Sequence, residues 1–196
     1  MLHIVDNEEA IRDSLSWLAS SRGMAVRSYE SAEALSAAIA GGYSADPQGD
    51  CLLLDVRMPG KSGVTLFDEL AQRNLTKQLP VIFITGHGDV PMAVDALKRG
   101  AFDFFEKPFD DNNLMDRVIE AFAASRQAAE AAVVQARLAT LSLREREVME
   151  LVIGGKLNKV IADELGISMR TVEVHRANIL DKMHVKTAVE LARLLD

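Results

Sequence analysis

An apolar run that stops on one carboxylate constrains this chain more than any other feature. Cys51-Leu52-Leu53-Leu54 has no polar alternation, and it ends on Asp55-Val56-Arg57-Met58-Pro59-Gly60. Such a run reads as a strand covered on both faces, which belongs to a parallel sheet with helices packed on each side. Asp55 then falls at the carboxyl end of the strand, the edge at which open α/β sheets bind ligands. Met58-Pro59-Gly60 closes the strand with a tight turn, since Pro fixes one dihedral and Gly accepts positive φ.

The rest of the first 120 or so residues repeats this plan. Leu2-His3-Ile4-Val5 reads as a short strand ending on Asp6-Asn7-Glu8-Glu9, with helical periodicity from Ala10 to Ser21. Ala25 to Tyr29 is a weaker strand, Ser31 an N-cap for an Ala-rich helix to Ala40, and Gly41 to Asp50 a loop. After the Asp55 strand come a helix from about Gly63 to Arg73 and a buried strand from Pro80 to Thr85. The turn Gly86-His87-Gly88, a helix from Val90 to Arg99 and a last strand, Phe102 to Phe105, complete the series. Five alternations of strand and helix specify an α/β doubly wound, five-stranded parallel sheet with right-handed crossovers.

The remainder is helical by composition. No Gly or Pro interrupts the chain from Asn112 to Gly154, so the Ala-rich stretch to Leu141 reads as a helix continuing past the sheet. Ser142 with Glu145 forms a capping-box pattern. Asn158 to Leu165, the turn Gly166-Ile167-Ser168 and Met169 to Met183 give a helix-turn-helix. Val172, Ile179 and Met183 suit the inner face of the last helix, leaving Arg170, Thr171, Glu173, Arg176, Asn178 and Lys182 outward, with His175 nearby. Those side chains suit base edges and phosphates of a major groove, and Lys156, Asn158 and Lys159 suit backbone phosphates. The expected organisation is a sheet domain over 1–122, a helical linker over 123–140 and a small all-α helix-turn-helix domain over 141–196.

Charge separates the same parts. Residues 1–140 hold 13 Lys+Arg against 20 Asp+Glu, whereas residues 141–196 hold 9 of each. The acidic part repels phosphate backbones, so nucleic-acid contact falls to the carboxyl-terminal part. Cys51 is the single cysteine, the apolar runs are too short to cross a bilayer, and the first residues lack the pattern of a signal peptide. These features point to a cytoplasmic setting and no membrane partner.

Asp6, Asn7, Asp55, Thr85 and Lys107 all follow directly on strands, at one edge of the sheet. Carboxylates meeting there repel one another, and oxygen-only ligands of this kind suit Mg²⁺. Lys107 supplies an ammonium and Thr85 a hydroxyl for an incoming phosphoryl oxygen. A carboxylate beside a divalent ion is a nucleophile for phosphoryl transfer. His87 reads as a loop residue, with no second His or Cys in this half to form a metal pair, and His3 as a strand residue facing its neighbours.

The ordered motifs Asp6-Asn7-Glu8, Leu53 to Gly60, Ile84-Thr85-Gly86-His87-Gly88-Asp89-Val90 and Glu106-Lys107-Pro108-Phe109 resemble the flavodoxin-like receiver domain of two-component response regulators, in its FixJ-like branch. Residues 141–196, from Leu141-Ser142-Leu143-Arg144-Glu145 through Thr171-Val172-Glu173-Val174-His175-Arg176, are similar to the LuxR-type DNA-binding domain. The resemblance implies that Asp55 accepts a phosphoryl group from a sensor histidine kinase. It implies that Asp6, Asn7, Asp55 and the Arg57 carbonyl arrange Mg²⁺, that Thr85 and Lys107 read the phosphoryl oxygens, and that Thr85 and Phe104 form the switch. It further implies a cis Lys107-Pro108 bond, an active homodimer on promoter DNA and RNA polymerase as a further partner.

Two departures stand out. Asn7 occupies a position where the family usually has a second acid, which predicts weaker Mg²⁺ binding and a reduced dependence on phosphorylation. Phe104 replaces the common Tyr at the switch aromatic. Asn7 therefore motivates an alternative, a phosphorylation-independent DNA-binding regulator. A metal-dependent phosphohydrolase is disfavoured, because Arg57 stands where a general acid/base would be sought, so the chain is not expected to be an enzyme.

Overall fold

The computed structural model describes residues 1–86 and 90–195, Val90 by its backbone alone. His87, read as a loop residue, and Gly88 and Asp89 of the same motif lie outside the described residues. The chain divides into two compact units, Met1–Ala129 and Glu130–Asp196.

In the first unit β1 (Leu2–Val5), β2 (Val26–Tyr29), β3 (Cys51–Asp55), β4 (Val81–Thr85) and β5 (Asp103–Glu106) form one parallel sheet in the order β2-β1-β3-β4-β5. The order reverses between β1 and β3, the switch point at which such sheets open a crevice at the strand ends. The helices are α1 (Glu9–Ser21), α2 (Ala32–Ala38), α3 (Gly63–Gln72), α4 (Val90–Lys98) and the first turns of α5 (Asp111–Ala139).

Alternation along the strands sends successive side chains to opposite faces. Leu52 and Leu54 join Leu35, Leu66, Phe67 and Leu70 on one side, while Cys51 and Leu53 join Leu15, Leu114, Met115 and Val118 on the other. Both faces are covered, which is why β3 has no polar position before Asp55. The edge strands β2 and β5 are only partly buried, and β2 gives the weaker apolar signal for that reason.

The amino-terminal edge of the sheet is tied by Asp50. Its carboxylate accepts from the Tyr43 hydroxyl and the Asp46 N–H and pairs with the Met1 ammonium at 3.1 Å and His3 at 3.5 Å. Burial pushes the Asp50 carboxyl up, but these bonds outweigh it and hold the group well below the usual carboxylate range. His3, a strand residue as expected, also stacks on Tyr29. Ser125 of α5, within the stretch read as a linker, is buried in this unit and accepts from the Asp50 N–H at 2.9 Å.

The second unit contains the end of α5 with α6 (Leu143–Ile153), α7 (Asn158–Leu165), α8 (Met169–Met183) and α9 (Ala188–Leu195). Leu141, Val148, Ile161, Val172, Ile179, Met183 and Leu191 form its core, with Val134 and Leu138 packed against it. Ser142 and Glu145 close the expected capping box. Gly166 ends α7 at φ +64°, a left-handed conformation that costs Gly little, and Ser168 caps α8 through the Thr171 N–H.

Candidate functional site

The strand ends bring the sequence-predicted carboxylates together. Val5 pairs with Leu54 across β1 and β3, so Asp6 emerges beside Asp55. Lys107 follows β5, and its backbone N–H donates to the Thr85 carbonyl at 2.8 Å, holding the loop after β5 against the end of β4. From there Lys107 Nζ donates to Asp6 Oδ2 at 2.8 Å and to Asp55 Oδ1 at 3.2 Å. The other oxygens are also held: Asp6 Oδ1 accepts from the Glu8 N–H at 2.8 Å and Asp55 Oδ2 from the Arg57 N–H at 2.9 Å. Lys107-Pro108 is cis, as the resemblance implies.

Burial sharpens the electrostatics. Asp6 is fully buried and Asp55 nearly so, while Lys107 is half-buried. Loss of water around Asp55 pushes its carboxyl above the usual range; Lys107 pulls it down and neighbouring Asp6 adds to the rise. Burial alone would lower the Lys107 ammonium, but its bonds to Asp6 and Asp55 win and hold it above the ordinary lysine value. Asn7 and the Arg57 side chain are exposed, at the rim rather than in the cluster.

Thr85 is buried at the end of β4, alongside this cluster. Phe104, half-buried on β5, lies with its ring 6.4 Å from that of Phe83. It lines an apolar cavity of about 240 Å³ with Val56, Val64, Phe67 and Met92. Gly63 opens α3 against β3, where a Cβ would overlap the Asp55 carbonyl oxygen. Arg12, which sequence pattern gave no reason to single out, donates to the Asp6 carbonyl at 2.8 Å. Its partner is a main-chain atom, so no residue pairing could have announced it.

The donor chemistry fits Mg²⁺. Asp6 and Asp55 carboxylates, the Asn7 amide and the Arg57 carbonyl are all hard oxygens, and Asp6 raises the Asp55 carboxyl by like-charge repulsion that a cation relieves. Among the described residues no three Asp, Glu, His or Cys side chains form a group able to hold a metal ion. With two carboxylates, one amide and one carbonyl as its protein donors, the site suits an ion that keeps several waters.

In the second unit the polar residues of α7 and α8 do not all face outward. Arg170, Glu173 and Asn178 are exposed on α8, and Lys159 is exposed on α7. Thr171 Oγ1 shares a hydrogen bond with Ser168 Oγ at 2.8 Å. Arg176 donates to Asn158 Oδ1 at 3.1 Å, and Lys156 pairs with Glu164 at 2.7 Å. Lys182, expected outward, instead turns back to Glu145 Oε2 at 2.7 Å and the Thr140 carbonyl at 3.3 Å. The reason is Glu145, whose buried carboxylate needs a partner beyond its cap; the Lys182 bond, then the Ser142 N–H, hold its carboxyl below the usual range. His175 is half-buried, with Nδ1 shielded and without a hydrogen-bond partner among the described residues.

Comparison with known proteins matches both units. The response regulator receiver domain family matches residues 2–119, and the family of bacterial regulatory proteins of the luxR type matches residues 139–195. The C4-dicarboxylate transport transcriptional regulatory protein DctR of Rhodobacter capsulatus is 50% identical over 201 residues, covering 98% of this chain and 98% of that protein. The transcriptional regulatory protein FixJ of Rhizobium meliloti strain 1021 is 46% identical over 197 residues, 98% of this chain and 93% of that protein. Among solved structures, the response regulator StyR matches with 37% identity and a TM-score of 0.69, covering 99% of this chain and 96% of that one. Full-length FixJ from B. japonicum matches with 41% identity and a TM-score of 0.56, covering 98% and 94%.

Proposed function

The chain belongs to the response regulators that join a receiver domain to a LuxR-type DNA-binding domain and is a phosphorylation-controlled transcriptional regulator; from that premise we propose that Asp55 is its phosphoryl acceptor. The observation that carries this reading is Lys107 Nζ bonded to both Asp6 and Asp55. An Asp55 oxygen forms the O–P bond as the P–N bond of a kinase phosphohistidine breaks, the bonding pair returning to the imidazole. Lys107 follows the charge onto the phosphoryl oxygens, and the Arg57 N–H keeps the carboxylate oriented.

Asp6, Asp55, Asn7 and the Arg57 carbonyl would hold Mg²⁺, which would supply charge neutralisation for the transferring group. Thr85 reads the new phosphoryl group, and Phe104 follows into the apolar cavity it borders. The receiver then dimerises, and the carboxyl-terminal unit binds inverted promoter half-sites and meets RNA polymerase. Arg170, Thr171, Glu173, His175 and Asn178 face bases and phosphates from α8, with Lys156, Asn158, Lys159 and Arg176 on the flank. Lys182 serves by anchoring the end of α8. Among the described residues no helix is long and apolar enough to cross a membrane.

Beryllofluoride, a phosphoryl mimic, tests the reading. It shifts the protein from monomer to dimer mass and tightens promoter binding by about tenfold, a coupling of ordinary size. Unchanged mass and unchanged affinity overturn it. The uncharged Asn7 favours one second reading, regulation without phosphorylation; Asp55→Asn then keeps the full transcriptional response in cells.

A further inference from the structure

We infer that Glu8 supplies the negative charge that the cation site of this chain lacks at Asn7. The inference rests on the reading of Asp6, Asn7, Asp55 and the Arg57 carbonyl as the Mg²⁺ ligands. Ionised Asp6 and Asp55 bring two negative charges, and Lys107, bonded to both, returns one positive charge. With a neutral amide at position 7, a net single negative charge faces a divalent ion. An acid there would make it two.

Glu8 is the next residue, and its Oε1 lies 4.0 Å from Lys107 Nζ. Its backbone N–H meanwhile donates to Asp6 Oδ1 at 2.8 Å. One residue therefore fixes the buried Asp6 carboxylate through its main chain and adds a third carboxylate to the cluster through its side chain. The Glu8 side chain is 65% exposed. At 4.0 Å from the Lys107 ammonium and largely in solvent, the Glu8 carboxylate acts through its field rather than by ligation. An exposed charge at this range is worth a few-fold in affinity and is screened by salt.

Calorimetric titration of Mg²⁺ into the unphosphorylated full-length chain tests this. Glu8→Gln raises the Kd by about two- to fivefold at low salt, and the difference shrinks at high salt. Asn7→Asp tightens binding, and Asn7→Asp combined with Glu8→Gln restores at least the affinity of the unaltered chain. Glu9→Gln, the same loss of charge at the start of α1, changes the Kd less than Glu8→Gln does. An unchanged Kd in Glu8→Gln overturns the inference, as does a loss that Asn7→Asp leaves unrepaired, which would make Glu8 a structural residue. If the unaltered chain binds no Mg²⁺, the ligand reading falls together with it. If the unaltered chain binds and Glu8→Gln is silent, only the role of Glu8 falls.

Discussion

Lys107 and Asp6, 101 residues apart in sequence, meet at the sheet edge with Asp55, whereas in the carboxyl-terminal unit Lys156, Arg176 and Lys182 are each bonded to a group of their own unit. In the receiver a cation is placed between two acids whose oxygens it can exchange for others. In the DNA-binding unit the cations divide into those that hold α7 and α8 in place and those, such as Arg170, that stay exposed with a long 3.8 Å pairing to Glu173. Strand order forces the first arrangement, because residues just past the carboxyl ends of parallel neighbours have nowhere else to go. A helix surface imposes no such convergence, and each long side chain can turn inward or outward.

The contrast breaks most sharply at Asp55. Asp55→Asn abolishes phosphoryl uptake from acetyl phosphate, read by phosphate-affinity electrophoresis, while leaving DNA binding by the carboxyl-terminal unit measurable. Residual uptake above a few per cent would remove Asp55 from the centre of the scheme. Next in size is Glu145→Ala, which loses the side-chain half of the capping box and strands Lys182. It lowers the stability of the second unit by about 1–3 kcal/mol in urea unfolding, without altering phosphoryl uptake.

Arg170→Ala and Lys182→Ala test the division among cations directly. Arg170→Ala weakens promoter binding by about tenfold with stability unchanged. Lys182→Ala mainly lowers the unfolding midpoint, and equal losses of DNA affinity in the two variants would erase the distinction.

The smallest effect is in pH. Asp55 holds its proton more tightly folded than unfolded, so its contribution favours the fold below the ordinary aspartate range and is lost as pH rises through the raised folded value. Glu145 runs the other way, contributing above the ordinary glutamate range and losing that contribution as pH falls through its lowered folded value. Urea midpoints followed between about pH 3 and pH 7 should lose the first slope in Asp55→Asn and the second in Glu145→Gln.

These differences explain what could be read from residues alone. Double-sided burial of β3 leaves an unbroken apolar run, so the sheet and the position of Asp55 are legible, as are the caps Ser31 and Ser142. The Lys182 pairing is not legible, because its spacing suits an outward face and the buried carboxylate of Glu145 that it bonds lies on another helix. The Asp50 cluster escapes for a similar reason: His3, the Tyr43–Asp46 loop and Ser125 come from three segments with no shared periodicity.

Gly63 carries a practical consequence. Because any side chain there collides with the Asp55 peptide, the eight-residue spacing from 55 to 63 acts as a fixed gauge. Any reworking of this surface must leave that gauge untouched and act on exposed positions such as Arg57 and Pro59.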